Sequence, residues 1–194
     1  LVERIENGAP YDIFMSADMS RPVKLYLRDF ATQRPKVVTF TSIILWTLKP
    51  IDLQRGIDIL KDPSVKTIGI PNPERTANGR QIVKILEYYG LYDDILPKLM
   101  YGENFTLVNQ MIMEQSVDIG ITVKSVVMEP AMKSKGTWID VDVNDKTFEP
   151  LAQGGVILKH GKDNPKVQLF YDFLFSQKAK AIFKKYGYKV PVID

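Results

Sequence analysis

Residues 66–90, KTIGIPNPERTANGRQIVKILEYYG, decide the fold, because they read as a strand, a polar loop and an amphipathic helix. Residues 67–70 are short and rich in β-branched side chains, and Pro71 and Pro73 end them by removing ladder donors and turning the chain. Ile82, Val83, Ile85, Leu86 and Tyr89 fall on one face of a 3.6-residue period, and Gly90 supplies a C-terminal stop. Thr76, Asn78 and Gly79 put small and capping residues at the helix N-terminus. Unpaired N–H groups and the positive end of the macrodipole point outward there, which attracts an oxyanion. An Asn in front of a helix serves more commonly as a plain N-cap, so this motif alone is a weak signal.

Outward from this stretch the chain alternates strand and helix. Residues 1–6 read as the end of a helix closed by Asn7 and Gly8, and residues 11–15 as an apolar strand. The polar loop 16–18 opens a helix that runs to Leu27, with Ser20 as N-cap and Pro22 in its first turn. Residues 37–48 read as one long strand, and 51–60 as a short helix. Beyond Gly90, a strand at 98–101 and a loop at 102–104 precede a helix to Glu114 carrying Leu107, Val108, Met111 and Ile112. A buried strand follows at 117–123, then a short helix at 124–129 and a strand at 137–143. Gln153, Gly154 and Gly155 interrupt the pattern, and 156–159 read as one more strand. Asn164 and Pro165 open a helix with Val167, Phe170, Phe173 and Leu174 inward, and Ser176 caps a last helix with Ala179, Ile182, Phe183 and Tyr186 inward and Gly187 as its stop. The alternation predicts α/β architecture built from parallel βαβ units, whose ligands sit at the carboxyl ends of strands. Those ends are the loops 71–79, 102–106 and 122–125.

Composition bounds the function. The 194 residues suffice for one large domain or two small ones, and 45% hydrophobic with 25% charged residues is the balance of a globular protein. The net charge of +3 is spread among mixed signs with no basic stripe, so no nucleic-acid partner is expected. The absence of cysteine excludes disulfides, thiolate metal sites and Cys nucleophiles. No apolar run approaches the ~20 residues of a membrane span. The single histidine, His160, has no Ser or acidic partner in a recognisable motif and reads as a surface-loop residue. No phosphate loop, nucleophile elbow, dinucleotide fingerprint or metal spacing is present, and Asp140, Asp142, Asp145 and Glu149 read as solvated charge. No catalytic residue, metal site or cofactor is therefore expected. The sequence opens inside an amphipathic helix with no initiator Met and no signal peptide, so a mature or truncated segment is expected.

The residues now reached resemble a known family, the periplasmic molybdate-binding proteins of ABC transporters. ENGAPYDIFMSAD (6–18) is similar to that family's signature, IGIPNPERTANG (68–79) to its central strand and ligand loop, and KLMYGENF (98–105) with DIGITVKSVV (118–127) to its next two ligand loops. NPKVQLFYDFLFSQKAKAIFKKYGYKVP (164–191) is similar to its C-terminal helices, so the resemblance covers essentially the whole chain in order. It implies a type II periplasmic binding protein of two α/β lobes that close on the ligand about a hinge. Residues 1–40 and 157–194 would form the first lobe, N-terminally incomplete, with 48–152 as the second lobe and 41–47 and 153–156 as hinge strands. The ligand, molybdate or tungstate, would be held in the inter-lobe cleft by neutral hydrogen-bond donors and passed to a membrane permease. By position the backbone donors fall at Asn78, beside Gly79, and at Phe105. The family's tyrosine donor falls at Val123, which has no hydroxyl, leaving Thr122, Ser125 or a water to replace it. Two serine donors of the family belong to an N-terminal segment of about 40 residues ahead of LVERIENGAP. The resemblance further implies a periplasmic or extracytoplasmic protein, free or lipid-anchored, monomeric when full-length. The alternative from another class is a ligand-sensing or enzymatic domain on the same two-lobe fold, which would need a basic recognition helix or a titratable pair in the cleft.

These 194 residues alone should bind molybdate more weakly than a form carrying that segment. Each lost hydrogen bond to a charged ligand costs about 1.5–3 kcal/mol, so two missing donors lower affinity by a factor on the order of a hundred to many thousands. Equal affinities in calorimetry, with both masses confirmed, would refute this.

Overall fold

The computed structural model describes residues 1–142 and 151–191. Helix α1 (Val2–Glu6), strand β1 (Ile13–Ser16) and helix α2 (Ser20–Leu27) lead into β2 (Lys36–Thr41) and β3 (Ile43–Thr47). A 3-10 segment (Leu53–Lys61) precedes β4 (Ile68–Pro71), α3 (Ala77–Tyr88), α4 (Tyr92–Ile95) and β5 (Leu99–Gly102). Then come α5 (Phe105–Met113), β6 (Ile119–Val123), α6 (Lys124–Met128), β7 (Thr137–Asp140), β8 (Leu151–Ile157), α7 (Pro165–Phe173) and α8 (Gln177–Lys185). The chain divides into two compact units, Leu1–Thr41 with Leu151–Asp194, and Ser42–Pro150. Residues 43–47 form an inner strand of the second unit's sheet, and 153–156 lie within the middle strand of the first unit's.

The first unit is an antiparallel sheet of order β1-β8-β2. Strand pleating sends successive side chains to opposite faces, and β8 shows it directly. Val156 joins Ile5, Phe14 and Leu25 in one cluster, whereas Ile157 joins Val38, Val167, Tyr171 and Leu174 in another. Here the sequence-based pattern needs correction in several places. The expected strand 156–159 is instead β8, running through Gln153, Gly154 and Gly155. Gly154 does not break it, because the missing side chain makes room for α2: a Cβ there would strike the Met19 sulfur. The N-cap of α2 is Met19 rather than Ser20, since Asp18 Oδ1 accepts from the Arg21 N–H at 3.2 Å and from the Ser20 hydroxyl at 2.5 Å. On α7 the inner face is Val167, Tyr171 and Leu174, spaced i, i+4, i+7, and Phe170 and Phe173 are exposed. Tyr171 tolerates burial because its hydroxyl donates to Gly155 O at 2.9 Å. Ile182 of α8 and Tyr186 at its C-cap are likewise exposed, whereas Ala179 is buried.

The second unit carries a mixed sheet of order β5-β4-β6-β3-β7. The β4 strand pairs parallel with β5 and β6, and β3 pairs antiparallel with β6 and β7. The expectation of parallel βαβ units thus holds for 68–123 and fails elsewhere. The single strand expected at 37–48 is two, β2 and β3, broken at Ser42, and they belong to different sheets. Residues 53–61 are 3-10 rather than α-helical, with Gly56 at φ +64° kinking the segment. Ile44, Trp46, Val108, Ile112, Val117 and Val127 form a core under α5, and Trp46 Nε1 donates to Lys135 O at 2.8 Å. The short α4 carries no period long enough to mark it in the sequence. Val143, Asp145 and Glu149 lie outside the described residues.

Asp118 ties the amino ends of β4 and β6 to the carboxyl end of the antiparallel β3. Its carboxylate accepts from the Lys49 ammonium (2.6 Å) and from the N–H groups of Lys66 (2.6 Å) and Thr67 (2.9 Å), and its carbonyl accepts from the Thr47 hydroxyl (2.6 Å). Burial raises the carboxyl pKa, but the Lys49 ammonium and the two N–H donors outweigh it and hold the group below the ordinary aspartate value. A lowered pKa contributes stability that is fully present above the unfolded value of about 3.9 and is lost as pH falls through the folded one. Asp118→Asn should therefore destabilise the protein at pH 7 by about 1–3 kcal/mol, and the gap should close as pH drops below ~4. Urea unfolding across pH 7 to 2.5 checks this; a gap independent of pH would show that the charge is not the cause.

Candidate functional site

Parallel pairing decides where the second unit can hold a ligand. With Pro71 opposite Gly102 and Gly69 opposite Gly120, the carboxyl ends of β5, β4 and β6 reach one edge of the sheet side by side. The three loops expected from the sequence therefore leave from neighbouring strands, and the Asn72 N–H donates to Gly102 O at 2.7 Å, joining the first two.

Each of the first two loops ends in a side-chain cap. Thr76, in extended conformation, accepts from the Gly79 N–H at 2.9 Å and donates its own hydroxyl to Asn72 O at 2.9 Å. Asn104 Oδ1 accepts from the Leu107 N–H at 3.0 Å. In both helices the cap thus satisfies the third residue's amide and leaves the first two, Ala77 and Asn78 in α3 and Phe105 and Thr106 in α5. Those four N–H groups have no partner among the described residues. They are concentrated donors at the positive ends of 12-residue and 9-residue helices. The amides of Asn78 and Phe105, expected from the resemblance as donors, are among these four, whereas the Gly79 N–H is committed to Thr76. Ala77 and Thr106 were legible only through the cap three residues ahead of each bonded amide.

Gly79 has another task. A Cβ on it would lie 2.6 Å from the carbonyl carbon of Asn72 and closer still to the Pro71 oxygen, so α3 begins pressed against the end of β4. Gly102 and Gly120 seat α5 in the same manner, with a Cβ on Gly102 only 3.1 Å from Val108 N.

The third loop is different. Val123 is half-buried and precedes α6 without a side-chain cap, and the Lys124 N–H donates to Ser42 O at 2.9 Å. Thr122 is buried, and its hydroxyl donates to Asn109 Oδ1 at 2.5 Å, so it turns toward α5 rather than toward the loop. The cations of the three loops all have other partners. Arg75 pairs with Glu103 at 3.2 Å, Arg80 donates to Pro73 O at 3.1 Å, and Lys124 pairs with Asp140 at 2.7 Å over the Trp138 ring. The donors left at the strand ends are neutral.

A family model described as bacterial extracellular solute-binding protein matches residues 1–189. The molybdate-binding protein ModA of Azotobacter vinelandii is 31% identical over 188 residues, covering 95% of this chain and 73% of that protein. ModA of Escherichia coli K12 is 24% identical over 202 residues, covering 98% of this chain and 74% of that protein. Among solved structures, the periplasmic molybdate-binding protein of Azotobacter vinelandii superposes with a TM-score of 0.81 at 26% identity, covering 98% of this chain and 83% of that one. The chain belongs to the bacterial extracellular solute-binding protein family, is ModA-like, and has the α/β units of a type II periplasmic binding protein.

If the donors are backbone groups seated by Gly79, side chains matter at one position and not at its neighbour. Asn78→Ala should change molybdate affinity only a few-fold, because the amide remains. Gly79→Ala should weaken it at least tenfold and destabilise the fold by about 1–3 kcal/mol, because the added carbon meets backbone that cannot yield. Calorimetry and thermal unfolding of both variants check this, and the reverse order of affinities would refute it.

Proposed function

We propose that this member of the solute-binding family captures a tetrahedral oxyanion, molybdate or tungstate, outside the cytoplasmic membrane and delivers it to the permease of an ABC importer. The observation that carries the reading is the set of neutral donors at one sheet edge. Two helix N-termini, each with its first two amides unpaired, open from adjacent parallel strands, and every cation of those loops is bound elsewhere. Amide dipoles of this kind stabilise a dianion without forming an ion pair, and helix N-termini need no further charge to do so. The relatives support the choice of anion, since those compared are molybdate-binding proteins by name. No catalytic role is assigned to any of these residues, and no cofactor enters the reading beyond the anion itself.

Neutral donors also set the expected salt response, because buried hydrogen bonds are screened far less than exposed ion pairs. The test is calorimetric titration of the protein as encoded in full with molybdate, tungstate and sulfate at low and high ionic strength. Molybdate and tungstate should bind, sulfate at least tenfold more weakly, and affinity should fall by less than about tenfold between 20 and 500 mM salt. Failure of all three anions to bind would refute the reading, and a steep salt dependence would refute the neutral-donor part of it.

A further inference from the structure

We infer that the hydrogen bond from Thr122 to Asn109 is a positioning device that fixes the α5 amides relative to the loop that follows β6. The inference rests on the proposed anion site at the strand ends.

Thr122 belongs to a small set of buried polar residues, with Thr39 and Thr47. Its companions on β6, Ile119 and Ile121, are buried and apolar, and a valine would fill the same volume. A hydroxyl in such a place is costly unless it is bonded, and this one has a short bond of 2.5 Å to Asn109 Oδ1. Asn109 is four residues beyond Phe105, so it lies about one turn, roughly 6 Å, along α5 from the first of that helix's candidate donors on the same face. Thr122 itself immediately precedes Val123, the residue that opens the third loop. One directional bond thus joins the helix that begins after the second loop to the strand that ends at the third.

The remaining attachments of α5 do something else. Val108 and Ile112 pack on Ile44, Trp46 and Val117, and Gly102 and Gly120 let the helix lie close to the sheet. Apolar contacts set the distance between helix and sheet but are non-directional, so they resist rotation and sliding of the helix weakly. A bonded Thr–Asn pair has one good geometry and supplies the missing register. Amide donors that must converge on a small anion are sensitive to displacements well below an ångström in their alignment.

The test uses Thr122→Val, which keeps shape and removes the hydroxyl, Thr122→Ser, which keeps the hydroxyl, and Asn109→Ala. Molybdate affinity measured at 10 °C, where every variant is folded, should fall five- to twentyfold in Thr122→Val and Asn109→Ala and stay within twofold in Thr122→Ser. The double variant should be no weaker than the worse single one, since both remove the same bond. Hydrogen exchange gives a readout that needs no ligand: the Leu107 and Val108 amides, bonded to Asn104, should lose at least fivefold protection in Thr122→Val and regain it in Thr122→Ser. A lowered melting temperature with unchanged affinity would make the pair merely structural and overturn the inference. Should the wild-type protein bind none of the anions, the anion reading fails while the exchange experiment still decides the pair, with unchanged protection counting against it.

Discussion

The constraint on which the site depends is the parallel pairing of β4 with both of its neighbours. Strands that run the same way end at the same edge, so the helices that follow them start at that edge with their unpaired amides together. The antiparallel sheet of the first unit cannot do this, because β8 runs opposite to β1 and β2 and sends alternate ends to opposite edges. Within the described residues this puts the concentration of helix-terminal donors in the second unit, although both units are α/β. Glycine completes the arrangement. Gly79 has no need of an unusual backbone angle; its contribution is the absence of a carbon where α3 meets Pro71 and Asn72.

Charge is managed by diversion. The three strand-end loops and the first turn of α3 contain Arg75, Arg80 and Lys124, enough to make an electrostatic clamp, but each is paired with a carboxylate or bonded to a carbonyl. Arg75 and Glu103 are both highly exposed, so their pair adds little stability and is screened by salt. The pair links the first two loops. A guanidinium among the amides would strengthen binding of any anion alike, whereas fixed dipoles of defined geometry favour an anion of matching size.

Much of this was legible in the sequence, and what was not has identifiable causes. The helices were readable where caps and periods agree, as with Thr76 and Gly90 around α3 or Asn164 and Ser176 before α7 and α8. The placement of loops at strand ends followed from β4, β5 and β6 alone. What failed were features set by tertiary contact. Residues 37–48 are uniformly strand-forming, and nothing local says that Ser42 divides two sheets. Gly154 and Gly155 resemble a break until Met19 is seen to occupy the space of a Gly154 side chain and the Gly155 carbonyl to accept from Tyr171. Thr122 was expected only as one replacement for the tyrosine hydroxyl that the resemblance places at Val123, and the register that pairs it with Ile44 turns it onto the α5 side. The Thr76 cap was visible as a residue type, yet only the structure shows that it consumes the Gly79 amide and leaves Asn78 free.

The third loop is where the resemblance sets Val123 against a tyrosine, and the structure shows what bonds hold that strand end. Val123 pairs with Ile43, the next amide is bound by Ser42, and the Lys124 ammonium reaches Asp140 over Trp138. The turn is thus tied to β3 and β7 on one side and, through Thr122, to α5 on the other. A loop fixed in this way presents apolar surface at Val123 and little freedom to adapt. On the proposed reading, the second unit's share of selectivity then rests on the spacing of the two helix N-termini. The close seats at Gly79, Gly102 and Gly120 and the bond from Thr122 to Asn109 involve none of the four unpaired amides.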